Sequence, residues 1–96
     1  MTKEAIDCVR DYIRSKSPET LVGIFDTAQF CSISKREVYV AFFRLQQEKE
    51  LKIIKRLFCP EFHFLEPEQA PYCEDCDLRH AKSEIQIEIY AQPLNR

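Results

Sequence analysis

The sequence predicts an α+β fold, and three observations predict it. Three stretches in the first half repeat apolar residues at helical spacing. A segment rich in β-branched residues follows them without a breaker. The second half ends on a run in which Ile85, Ile87 and Ile89 alternate with Glu84, Gln86 and Glu88, the period-2 pattern of a half-buried strand.

The elements follow in order. From Lys3 to Lys16, Ile6, Val9, Arg10 and Ile13 fall on one helical stripe, with Ala5, Cys8 and Tyr12 beside it. Pro18 ends that helix, because proline lacks an amide donor and restricts the residue before it. From Leu21 to Phe30 the apolar positions Leu21, Ile24, Phe25 and Ala28 predict a second helix. Ser34-Lys35-Arg36-Glu37 then reads as a capping box: the serine hydroxyl accepts from an amide three residues on, and Glu37 reaches back. A third helix is therefore expected from Ser34 to about Glu50, burying Val38, Ala41, Phe42 and Leu45. Leu51 to Phe58, with Ile53 next to Ile54, is expected as a strand. Phe62 to Leu65 and Ser83 to Tyr90 are expected to complete its sheet.

Between these strands lie Cys59, His63, Cys73, Cys76 and His80, five metal-ligand residues within 22 positions. Three thiols and an imidazole suit tetrahedral Zn²⁺, and Cys73-Glu-Asp-Cys76 is a C-x2-C turn that puts two sulfurs on one edge of the tetrahedron. Cys59-Pro-Glu-Phe-His63 supplies the other turn, so the pattern is two ligand-bearing hairpins, a zinc-ribbon-like arrangement. Position 62 is Phe where a second cysteine would stand in the usual C-P-x-C pair. Cys59, Cys73 and Cys76 plus one histidine are the expected set for a structural zinc. His63 is preferred because it keeps the two-turn pattern, and His80, at the same C-x3-H spacing from Cys76, is the alternative.

Cys8 and Cys31 lie in helical stretches without a partner at metal-like spacing, and are expected to be small core residues. The odd count of five cysteines and the lack of an apolar leader-like stretch lead to an expected reducing compartment, cytoplasmic or, in a eukaryote, nuclear. No stretch has the length and apolarity of a membrane span. A single glycine, Gly23, excludes a phosphate-cradling glycine loop. A closed ligand set, with no assembled nucleophile, base and orienting group, leads to an expected non-enzyme.

Three helices, a short turn before the last of them and a strand directly after it resemble the winged helix-turn-helix superfamily. The residues that carry the resemblance are Phe30-Cys-Ser-Ile-Ser-Lys-Arg-Glu-Val38, with the capped helix that follows. The expected organisation is thus a winged helix-turn-helix over 1–58 and a zinc-ribbon-like β element over 59–96. In order of parts the chain resembles the amino-terminal half of the general transcription factor E alpha subunit. The resemblance implies a third helix that enters the DNA major groove, with Lys35, Arg36, Tyr39, Val40, Phe43 and Arg44 facing outward.

Charge and chemistry along that face divide the functional expectation. Residues 31–59 carry seven Lys/Arg against three Asp/Glu, residues 60–96 carry three against eight, and the whole chain has a net charge of -2. Tyr39, Val40 and Phe43 form an apolar strip, which suits a protein interface better than a phosphate backbone. The first expectation is a non-catalytic module that binds another protein or domain. The alternative is a regulator of double-stranded DNA that uses Lys35, Arg36, Arg44, Lys49, Lys52, Lys55 and Arg56 of the basic segment 35–56.

Overall fold

A computed structural model describes residues 2–94. It is α+β: three helices and an antiparallel sheet. Helix α1 is Lys3–Arg14, strand β1 Val22–Gly23, helix α2 Ile24–Cys31 and helix α3 Lys35–Gln47. Strand β2 is Leu51–Phe58, followed by the short strands β3 (Phe64–Leu65), β4 (Tyr72–Cys73) and β5 (Leu78–Arg79), a 3₁₀ turn at Lys82–Glu84, and β6 (Gln86–Pro93).

The helix ends have local causes. The Thr2 hydroxyl oxygen accepts from the Ala5 amide at 3.2 Å and starts α1. At α3 both bonds of the expected capping box form, Glu37 N to Ser34 Oγ at 3.1 Å and Ser34 N to Glu37 Oε1 at 3.2 Å. Both α2 and α3 end in a left-handed residue, Ser32 at φ 55° and Lys49 at φ 61°. The amides of Ile33 and Glu50 then reach back to the carbonyls of Ala28 and Leu45, at 3.1 and 2.9 Å. That is the Schellman closure that glycine usually supplies; the only glycine of the chain, Gly23, lies elsewhere.

The described residues form two compact units, one of residues 2–54 with 89–94 and the other of residues 55–88. In this partition the end of the last strand belongs with the helices. The chain leaves the first unit within β2 and re-enters it within β6. Strand order in the four-stranded sheet is β1-β6-β2-β3, and β1 pairs antiparallel with β6 through Val22↔Ala91 and Gly23↔Tyr90.

In the first unit Val38, Ala41, Phe42 and Leu45 of α3 are fully buried, as the helical spacing requires. They pack with Ile6, Val9 and Ile13 of α1 and with Val22, Ala28, Leu51 and Ala91. Glu50 is buried too, and its carboxylate accepts from Arg14 at 2.6 and 3.2 Å with Arg10 at 3.4 Å, so the charge is compensated inside the unit.

Three sequence expectations need correction. Phe25, assigned to the core side of the second helix, is 57% exposed; the helix begins at Ile24, and Val22–Gly23 run as a strand. Ile87 is 60% exposed, so the alternation in 83–90 does not bury its middle isoleucine; the buried residues of that strand are Ala91 and Pro93. Cys8 and Cys31 are not core fillers. They are half-buried and joined by a disulfide that links α1 to the last residue of α2, with 5.9 Å between their Cα atoms.

Candidate metal centre

The second unit is built from two hairpins, and each supplies ligand-type side chains. In the first, β2 and β3 pair through Leu57↔Leu65 and Phe58↔Phe64. The Cys59 amide donates to the His63 carbonyl at 3.0 Å and the Phe62 amide to the Cys59 carbonyl at 2.8 Å. Pro60 fits this tight turn because its φ is already set. Phe62, the last of the three residues between Cys59 and His63, adopts φ 65°, an uncommon state for a bulky residue. In the second hairpin β4 and β5 pair through Tyr72↔Arg79 and Cys73↔Leu78, and Asp77 at φ 54° closes the turn after Cys76. The His80 amide donates to the Pro71 carbonyl at 3.0 Å, which ties the residue after β5 back to the start of its hairpin.

These turns bring Cys59, Cys73, Cys76 and His80 close together, with donor atoms within 4.8 Å of one another, and the group could hold a metal ion. His63 also stands against the sulfurs. Its Nδ1 stands 3.5 Å from Cys59 Sγ, 3.3 Å from Cys76 Sγ and 3.6 Å from Cys73 Sγ, while the Cys59 and Cys76 sulfurs are 3.9 Å apart. His63 also forms a looser group with Cys73 and the exposed Asp75. Cys59 and Cys73 are fully buried and pack with Leu65, Leu57, Ala70, Cys76 and Ile85. The centre therefore doubles as the core of a unit that has few other buried side chains.

Electrostatics at the three thiols are unequal. Burial opposes the Cys59 thiolate, yet amide donors of His63 and Glu61, then the Cys76 and Cys73 thiols, outweigh it and bring the thiol down to about 7. Cys76 goes the other way, to about 12, through burial first and then the hydrogen bonds and charge of Cys73 and Cys59. One negative sulfur holds the proton on its neighbour. A bound cation would reverse that balance, since a coordinating thiol is deprotonated outright.

The outward residues of α3 stand apart from this chemistry. Lys35, Arg36, Tyr39, Val40, Phe43 and Arg44 are all exposed, as expected, with Tyr39 at 39%, Val40 at 48% and Phe43 at 50%. Lys35 Nζ lies 5.3 Å from the Phe25 ring and Arg44 Nε 3.4 Å from Glu48. Lys49, Lys52, Lys55 and Arg56 are each exposed, and Arg56 lies 5.3 Å from the Phe64 ring.

Sequence reasoning missed two features. Phe25 and Phe30, exposed at 57% and 63%, add to the aromatic surface of α2, and Phe30 stacks on Tyr12 at 4.5 Å. Phe58, Phe62 and Phe64 gather around the first metal hairpin, with centroids 6.3 and 6.1 Å apart. The run of Phe at 58, 62 and 64 was the available signal. Among the described residues no helix is long and apolar enough to cross a membrane. Compared with known proteins, the chain matches no family model, no curated protein and no solved structure.

Proposed function

We propose that the chain is a non-catalytic recognition module: a winged helix-turn-helix that docks another protein through α3, with a structural zinc ion holding its second unit. The observation that carries this reading is the division of α3 into two faces. Val38, Ala41, Phe42 and Leu45 are fully buried, whereas Tyr39, Val40 and Phe43 remain open to solvent beside Lys35, Arg36 and Arg44. A helix already anchored on one side gains nothing for its own stability from apolar side chains on the other. Aromatic residues rimmed by cations are the composition of a protein-binding patch, and the partner they fit is apolar at its centre and acidic at its edge.

The winged-helix reading is supported by element order. The sequence α1-β1-α2-α3-β2 is followed by a return strand, β6, that lies between β1 and β2 in the sheet. In this reading the metal unit of residues 55–88 is an insertion between the two wing strands. Zinc is supported by distance. Bonds of about 2.3 Å to sulfur and about 2.0 Å to nitrogen give a tetrahedron with edges of about 3.8 Å between sulfurs and about 3.6 Å between sulfur and nitrogen. The sulfur pair at 3.9 Å and the His63 contacts of 3.3, 3.5 and 3.6 Å agree with those edges.

DNA binding is the second reading, favoured by the exposure of Lys35, Arg36 and Arg44 on one helix. Two of those three already engage Phe25 or Glu48, and the chain has a net charge of -2, which ranks it below protein recognition. The test pairs two measurements on the zinc-loaded chain. A photo-crosslinker at Val40 in cells should capture one recurrent polypeptide, and Tyr39→Ala should abolish the capture. A titration with random duplex at low and moderate salt should give only weak binding; tight, salt-sensitive duplex binding lost in Arg36→Ala would replace this reading with the second.

A further inference from the structure

The second unit offers five donors, one more than tetrahedral zinc takes: Cys59, Cys73, Cys76, His63 and His80. We infer that the two histidines divide the work: His63 binds the metal through Nδ1, and His80 donates its Nε2 proton to the metal-bound sulfur of Cys76. The inference rests on the zinc reading above.

A fourth tetrahedral ligand must stand nearly equidistant from the other three. His63 Nδ1 does so, with its three sulfur distances spanning only 3.3 to 3.6 Å. His80 sits near the same sulfurs without a hydrogen-bonding role for its ring. Its Nε2 is a buried side-chain nitrogen with no hydrogen-bond partner among the described residues. Buried polar atoms are almost always paired, so this nitrogen calls for an acceptor close by. One ring nitrogen of His80 lies within 4.8 Å of the sulfurs of Cys59, Cys73 and Cys76.

The amide donors choose among those sulfurs. Cys59 Sγ accepts from the Glu61 amide at 3.3 Å, and Cys73 Sγ accepts from the Cys76 amide at 3.4 Å. Cys76 Sγ receives no backbone amide among the described residues; its contacts are with Cys59 Sγ and His63 Nδ1. It is also the only half-exposed sulfur-bearing residue of the three. His80 lies on the same hairpin, four positions after Cys76. A thiol is a weak acceptor and a metal-bound thiolate a strong one, so metal binding is expected to draw the His80 ring onto Cys76 Sγ, with which it makes no hydrogen bond in this structure. With it in place every sulfur carries at least one N–H donor, which lowers thiolate nucleophilicity. That property separates a structural centre from a reactive one. His80 is thus a positioning residue that acts through Cys76.

The experiment uses the full chain loaded with cobalt(II), whose ligand-field bands report coordination and whose thiolate charge-transfer intensity counts sulfurs, and then with zinc. His63→Cys should raise the charge-transfer intensity from that of three thiolates to that of four, and His80→Cys should leave it unchanged. His80→Ala should keep the wild-type bands, weaken metal affinity about 10-fold to 100-fold, and let iodoacetamide alkylate Cys76 of the zinc-loaded protein several-fold faster. His80→Gln, whose amide is again a donor, should recover most of that protection. Intensity that rises in His80→Cys and not in His63→Cys would reverse the two roles and overturn the inference. So would unchanged affinity and alkylation in His80→Ala. Failure of the wild-type chain to bind cobalt or zinc would instead remove the zinc reading beneath it.

Discussion

Phe62 is the residue at which the second unit departs from the usual hairpin, and its conformation can be tested directly. At φ 65° a β-carbon is crowded, at a cost of roughly 1–2 kcal/mol for an ordinary residue. Phe62 is also 64% exposed, so little packing offsets that cost. Phe62→Gly is expected to leave the unit as stable or more stable, by up to about 1 kcal/mol, and Phe62→Val to weaken it, measured by chelator competition on the zinc-loaded chain. Cys8 and Cys31 give a second prediction at this scale. Their bridge closes a separation of 23 residues, and such a loop constrains the unfolded chain by about 3 kcal/mol. The Cys8→Ser, Cys31→Ser double variant should lose stability of that order in a denaturant melt, with α1–α3 otherwise intact.

Helix α3 places adjacent phenylalanines in opposite roles. Phe42 is fully buried and Phe43 is half exposed. Phe42→Ala is expected to cost about 3–5 kcal/mol, because it leaves a cavity in a packed core, whereas Phe43→Ala should stay within about 1 kcal/mol. Denaturant unfolding of the two variants separates them, and a large loss from Phe43→Ala would mean that the outward strip is packing rather than surface. In the hairpin elements the relevant variable is the proton. Metal must displace the one held by Cys76, whose thiol is pushed up to about 12 by burial and its sulfur neighbours, while Cys59, at about 7, already ionises near neutrality. Apparent zinc affinity should therefore rise with pH and loading should release protons into a weakly buffered solution. A pH-independent affinity would show that Cys76 is not a ligand.

At the scale of the whole molecule the two units rest on different forces. The first has an apolar core of eleven buried residues, and the second has Cys59, Leu65 and Cys73. Those three and Pro71 are the buried residues of a 34-residue segment, too few to hold it, so the ion is expected to supply much of its folding free energy. Chelation should abolish amide-exchange protection in 55–88 and spare α1, α2 and α3. Protection that survives chelation across both units would show that the second folds without metal.

Much of this was legible in the sequence because it depends on short-range chemistry. The capping box at Ser34 and Glu37, the stripe of Val38, Ala41, Phe42 and Leu45, the strand from Leu51 and the C-x2-C turn each span a few residues, and local backbone geometry decides them. Other features required the folded chain. That Cys8 meets Cys31 depends on how α1 lies against α2, and the odd cysteine count that had spoken against disulfides is one bridged pair plus three thiols of another centre. That β6 returns to β1 depends on sheet order, which an alternating pattern does not contain. Ile87 is exposed because the period of a strand says which residues share a face and not whether that face is covered. The two histidines had equal spacing from their cysteines, so the sequence determined the five donors. Only the tertiary structure, through three sulfur distances to His63 and one unpartnered nitrogen on His80, distinguishes their surroundings.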